Sequence, residues 1–155
     1  MRVVAPLTQL HPHAFGALAT YAPHAAFVDV SSDDECYWRL LRGLWGLGES
    51  LAIVEHDIEV HSGTLSSFEA CVEPWCVAPY TGMPYKRYPV PVLRCALGCV
   101  RFSAGLIAAT PTLIDDLPVR HWRRLDSQIA TFLQRAGYRA HEHEPHVVHH
   151  HDYSA

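Results

Sequence analysis

Apolar residues fall along the first third of the chain in short blocks, separated by polar, glycine-bearing or proline-bearing stretches. Residues 3–7 predict a short buried strand, and 13–21 a weakly amphipathic helix closed by Ala22 and Pro23. Residues 26–30 predict a second buried strand. Ser31-Ser32-Asp33-Asp34-Glu35 then supplies a cap and an acidic first turn for a helix in which Tyr37, Leu40, Leu41, Leu44 and Trp45 recur at helical spacing. Gly46 and Gly48 end it. Residues 51–54 predict a third buried strand that runs straight into Glu55-His56-Asp57-Ile58. Strands alternating with helices predict a mostly parallel sheet with helices on its faces. Ligands of such sheets sit at the carboxyl ends of the strands, which directs attention to the groups just past Leu7, Val30 and Val54.

The middle of the chain is less regular. Residues 64–71 predict a short helix, 75–80 an extended segment, and 81–91 a loop containing Gly82, Pro84, Pro89 and Pro91. Residues 92–102 have strand-like content around Gly98. Ser103 caps a short helix over 103–109, and 111–117 predict a second helical piece ended by Pro118. Residues 122–136 form the clearest helix, with Leu125, Ile129, Phe132 and Leu133 on its apolar face and Gly137 as its stop. Residues 138–148 alternate loosely and predict a last strand. No internal repeat interrupts this plan, which reads as one domain.

Composition narrows the class. Of the 155 residues, 49% are hydrophobic and only 18% charged, a ratio that suits a packed globular domain and excludes a disordered one. No apolar run approaches the roughly 20 residues that cross a bilayer. The opening Met1-Arg2-Val3-Val4-Ala5-Pro6 lacks the sustained apolar stretch of a signal peptide, so the expectation is a soluble cytoplasmic protein without membrane insertion. The net charge of −4 provides no overall footprint for nucleic acid, although Arg101, Arg120, Arg123 and Arg124 leave room for a local patch. Five cysteines, Cys36, Cys71, Cys76, Cys95 and Cys99, are an odd count for a disulfide framework, and their spacing is not that of a zinc knuckle. They read as buried free thiols.

Three features carry chemistry. Glu55 and Asp57 are two carboxylates one residue apart at the end of a buried strand, where period-2 geometry would point them the same way. Burying both is costly unless a cation compensates them, and a hard divalent ion such as Mn²⁺ or Mg²⁺ suits carboxylate ligands and bridges to phosphate. The bland alternative is a solvated strand end. Six histidines, His141, His143, His146, His149, His150 and His151, crowd the last fifteen residues, and imidazole binds Mn, Zn, Fe and Ni readily. Asp126, near the start of the clearest helix and beside Arg123 and Arg124, is either a first-turn acid or a general base.

Taken in order, Ile53-Val54-Glu55-His56-Asp57, Leu97-Gly98-Cys99-Val100-Arg101-Phe102-Ser103, Trp122-Arg123-Arg124-Leu125-Asp126 and Pro145-His146-Val147-Val148-His149 resemble the GT-A family of nucleotide-diphosphosugar glycosyltransferases. In that family an acidic motif follows a buried strand, then come a glycine loop, an acid opening a late helix, and a closing histidine. The likeness spans nearly the whole chain, with Glu55 standing where the family has Asp. The chain is also short for the family, which suits a small, bacteriophage-like member.

The resemblance implies a Rossmann-like, mostly parallel sheet flanked by helices in a compact GT-A-like single domain. Residues 1–60 would form the nucleotide-binding half and 61–155 the acceptor and closing half. It implies a metal-dependent hexosyl- or pentosyltransferase that moves sugar from a nucleotide-diphosphosugar to a hydroxyl of a small molecule, glycan, protein or modified nucleic acid. Asp57 would bind Mn²⁺ or Mg²⁺ with His149, or His151 as the alternate, and Glu55 would assist at the metal or the ribose. Thr8, Asp29 and Asp33 would touch the nucleoside, Gly98 would lie in the cofactor-binding glycine loop, and Asp126 would take the acceptor's proton. Trp75, Tyr80 and Trp122 would stack on sugar or acceptor. The competing readings are a metal-dependent hydrolase of nucleotide sugars or diphosphates and a non-catalytic, His-rich metal-binding module.

Overall fold

Every side chain of β3 (Leu51–Val54) is buried, and an apolar strand of that kind needs cover on both faces. The chain provides it with a three-layer α/β arrangement, in a computed structural model that describes residues 1–81, 97–144 and 146–150. The other strands of the main sheet are β1 (Arg2–Leu7), β2 (Ala26–Asp29), β5 (Trp75–Val77), β7 (Cys99–Phe102) and β8 (His141–Glu142). Their order is β2-β1-β3-β7-β5-β8, and β7 alone runs against the rest. The sheet is therefore mixed but mostly parallel, as the alternation of its first strands with helices predicts.

Period-2 alternation divides the core in two. Leu51 and Ile53 pack with Val100, Phe102 and Trp75 beneath α2 (Cys36–Gly46), α4 (Ala104–Ala109) and α5 (Trp122–Arg135). Ala52 and Val54 point the other way, joining Ala5, Cys76 and Cys99 under α1 (Pro12–Tyr21) and α3 (Thr64–Ala70). Into this second core a small sheet also packs, in the order β4 (Ile58–Glu59), β9 (Val147–His149), β6 (Tyr80–Thr81).

Several expectations hold in detail. Ser103 caps α4 by accepting a hydrogen bond from the Leu106 N–H at 3.0 Å, and Gly137, at φ +90°, follows the end of α5. Cys36, Cys71, Cys76 and Cys99 are free thiols, but only Cys76 and Cys99 are buried; Cys36 and Cys71 are half-buried. Burial is the main cause that raises the thiol pKa of Cys76 and Cys99, the second core's two fully buried cysteines. The loop expected over 81–91, residues 92–96 and Cys95 lie, beyond Thr81, outside the described residues.

Others change. β2 is not a buried strand: it lies at the sheet edge with Ala26, Phe27 and Asp29 exposed, its ring Phe27 leaning on Phe15 of α1. Asp33 sits ahead of α2 instead of in its first turn, because its carboxylate accepts from the Glu35 N–H and pairs with Arg39. Residues 111–117 form turns and no helix. Trp38 and Trp45 of α2 donate their indole N–H groups to the Ile114 and Thr110 carbonyls at 2.8 and 2.7 Å, satisfying acceptors that a helix would have used internally. The single strand expected over 138–148 is two strands in two sheets, β8 and β9.

The two sheets meet at Gly98. A methyl group there would run into the Tyr80 hydroxyl and lie 2.5 Å from the Tyr80 Cζ, so glycine is what lets the β6 aromatic close over the start of β7. Gly98→Ala should therefore destabilise the fold by about 1–3 kcal/mol, the usual range for overpacking, read as a fall in denaturation midpoint.

Candidate functional site

Because β1, β2 and β3 are parallel, the residues that follow them emerge on one side of the sheet. There they line a cavity of about 880 Å³. Thr8 comes from the end of β1, Ser31 and Asp33 from the end of β2, and Glu55, His56 and Asp57 from the end of β3. The first residues of α5 add Trp122, Arg123 and Asp126 to the lining, and His149 reaches in from β9.

The acidic pair does not lie on a strand, as the sequence suggested. β3 ends at Val54, and Glu55–Ile58 is a turn closed by the Ile58 N–H donating to the Glu55 carbonyl at 3.0 Å. The turn, not period-2 alternation, brings both carboxylates to the cavity. It is held from two directions: the Glu55 N–H donates to the Gly98 carbonyl at 2.8 Å, and the His150 N–H donates to the Asp57 carbonyl at 2.9 Å.

The second of these contacts belongs to β9, which fills the middle of the small sheet. It pairs with β4 through Ile58 opposite His149, and with β6 through Tyr80 opposite Val147. This register sets the His149 Nε2 3.1 Å from Asp57 Oδ2, and the Tyr80 ring stacks on the His149 imidazole at 5.4 Å between centroids. Next along, His150 turns outward to Glu59 at 2.7 Å and stacks on His11 at 4.1 Å. His151 lies outside the described residues. His141 and His143 stand on β8 and just beyond it, away from the cavity, and burial is the first cause that lowers the His143 pKa.

Charge in the cavity is unevenly distributed. The Glu55 carboxyl is pushed up to about 7, first by desolvation and then by the neighbouring Asp57 charge, with the Tyr37 hydrogen bond opposing the rise. Tyr37 donates its hydroxyl to Glu55 Oε1 at 3.0 Å, and burial raises its own pKa well above the ordinary range. Desolvation also raises Asp126, whose Oδ1 accepts from the Ser127 N–H at 2.7 Å. No ion pair joins Asp126 to Arg123 or Arg124 among the described residues; the Arg123 guanidinium lies 5.0 Å over the Trp122 ring. Asp33, by contrast, is held low chiefly by its hydrogen bond to Arg39.

Of the residues singled out from sequence, Thr8, Asp33, Glu55, Asp57, Asp126 and His149 meet on this one cavity. Asp29 does not line it. Its Oδ1 accepts from the Ser31 N–H at 2.8 Å and so shapes the turn that presents Ser31. Gly98 also stays off the wall and acts through its carbonyl and the space it leaves for Tyr80. Trp75 is 1% exposed and belongs to the core, and Tyr80 supports His149. Trp122, half exposed at 49%, lines the cavity. Tyr37 was read as a core position of α2. Its period matched the apolar stripe, and only the contact with Glu55 reveals its other end.

A neutral Glu55 is what the folded state prefers, so its raised pKa gives a signed pH dependence. Stability from this group is fully present below its ordinary 4.5 and is lost as pH rises through about 7. Glu55→Gln should remove that loss, leaving the variant more stable than the parent at about pH 8 by on the order of 1–3 kcal/mol, and nearly equal at about pH 4. Urea denaturation at the two pH values checks this; equal midpoints at the higher pH would mean that Glu55 is solvated.

The sequence matches no family model and no curated protein. In three dimensions the chain is similar to the crystal structure of a glycosyltransferase involved in the glycosylation of the major capsid of PBCV-1. The TM-score is 0.51 at 12% sequence identity, over 96% of this chain and 92% of that one. At that identity the likeness is one of fold.

Proposed function

We propose that this chain is a metal-dependent glycosyltransferase of GT-A type, moving a sugar from a nucleotide-diphosphosugar to a hydroxyl acceptor. The observation that carries the reading is the convergence of Glu55, Asp57, Asp126 and His149, from three distant parts of the sequence, on one cavity at the strand ends. A volume of about 880 Å³ accommodates a ligand of that size. The neighbour's glycosyltransferase fold supports the same reading.

Asp57 and His149 stand side by side, a carboxylate and an imidazole that would share a divalent cation such as Mn²⁺ or Mg²⁺; Glu55 lies on the same turn, but the three do not stand as a closed ligand group. Asp57 and His149 would hold the ion, with Glu55 joining once it has lost its proton. The chemistry such an ion supplies is neutralisation of charge on a leaving diphosphate. Thr8 and Asp33, at the carboxyl ends of the first two strands, would hold the nucleoside, while Asp29 fixes the turn beside them. Trp122 offers a flat face for a sugar ring. Asp126 lines the same cavity, close enough for its charge to act on Glu55, and its raised pKa suits a base that takes the acceptor hydroxyl's proton.

Calorimetric titration of nucleotide diphosphates and nucleotide sugars, with Mn²⁺ and with chelator, tests the reading. One donor should bind only in the presence of metal. Asp57→Ala should abolish that binding without unfolding the protein, and an unchanged affinity would remove the acidic turn from the site. Asp126→Asn should spare donor binding and lower transfer by roughly 10²-fold or more; an unaltered rate would end its assignment as base.

A further inference from the structure

A second group of ligating side chains lies outside the cavity. Cys71, the residue that ends α3, meets His141 and His143, and their ligand atoms all lie within 4.8 Å of one another. The meeting follows from the fold. β8 joins the sheet edge beside β5, with His141 opposite Cys76, and the His143 N–H donates to the Val77 carbonyl at 2.8 Å. Residues two apart on an extended segment share a face, so both imidazoles turn toward the end of α3. The His143 ring packs edge-on against Phe68 of that helix at 5.3 Å, and the His141 ring meets it at 4.9 Å.

One detail sets this group apart from a chance surface cluster. The His143 Nε2 is buried and has no hydrogen-bond partner, a state that folded proteins avoid unless something else satisfies the atom. The ring packs edge-on against Phe68, and this nitrogen faces inward although the residue as a whole is half-buried.

We propose that Cys71, His141 and His143 form a zinc site, with water or a ligand in the fourth position, which ties the edge strand β8 to the end of α3. One thiolate and two imidazoles are a borderline-soft set that selects Zn²⁺ over Mg²⁺, Ca²⁺ or Mn²⁺. Tetrahedral zinc at its usual bond lengths places ligand atoms roughly 3.3–3.8 Å apart, so the group need contract by only about an ångström. Binding releases the Cys71 thiol proton to solvent, while each imidazole donates a ring-nitrogen lone pair. His141 is exposed, which gives the fourth position its access to water. The site is separate from the cavity and does not depend on the function assigned to it.

Cobalt reports a thiolate ligand directly. Protein kept reduced and stripped with chelator should take up Co²⁺ with a thiolate-to-cobalt charge-transfer band, bleached by Zn²⁺. Cys71→Ser should abolish the band, and His141→Ala, a change at an exposed position, should weaken Zn²⁺ binding at least ten-fold. Asp57→Asn should retain the band, since the cavity has no thiol among its described walls. With the cavity's acid removed, Zn²⁺ should also raise the thermal midpoint of Asp57→Asn and not that of the folded Asp57→Asn/Cys71→Ser double variant. Absence of the band from the parent, or its persistence in Cys71→Ser, overturns the proposal.

Discussion

Two carboxylates stand within one tight turn at the end of a strand that has no exposed side chain, and the rest of the site is arranged around the difficulty of keeping them there. Desolvation and the neighbouring Asp57 charge push the Glu55 carboxyl up to about 7, and the Tyr37 hydroxyl takes up one of its oxygens. Asp57 is answered by His149. Neither partner is local. Tyr37 comes from a helix on one face of the sheet, and His149 comes from a strand near the end of the described chain. Glu55 is thus answered from the helix that precedes its own strand, and Asp57 from a strand more than ninety residues further on.

That dependence explains the small second sheet. β9 is short, but it lies between β4 and β6 and is held on both edges, which makes His149 a rigid group rather than a tail residue. Tyr80 supports its ring from one side, and Gly98 makes room for Tyr80 while its carbonyl anchors Glu55. Packing and electrostatics therefore use the same few atoms. A disturbance at Gly98 would reach the carboxylates through both the Tyr80 ring and the backbone hydrogen bond.

Much of the fold was legible because its signals are local. The apolar run of Leu51–Val54, the Ser103 cap and the Gly137 stop each act within a turn or two of chain. Asp57 and Asp126 were legible for a different reason: acids beside apolar segments are conspicuous. Partners set by tertiary contact were hidden. Phe27 is apolar, yet it sits on an edge strand because no element covers β2 on its outer side. Leu113, Ile114 and Leu117 carry helical spacing, yet two indole N–H groups claim their segment's carbonyls. Tyr37 satisfied the helix pattern so well that nothing marked its hydroxyl as part of the site. The cluster at Cys71 was invisible because its members are 70 residues apart and meet only through the parallel pairing of β8 with β5.

The placement of β9 also has a consequence in time. The parallel strands β1, β2 and β3 assemble from neighbouring stretches of chain, whereas Glu59 and His150 are separated by 91 positions. Closing so long a loop is entropically demanding and slow compared with forming local contacts. The open half of the sheet can therefore gather first, with its acids still hydrated, and the ligand chamber comes into being only when β9 docks. Because Val147 of β9 is fully buried in the second core, the step that completes the chamber also completes that core, and a chain able to seal its interior on this side has in the same act built its pocket.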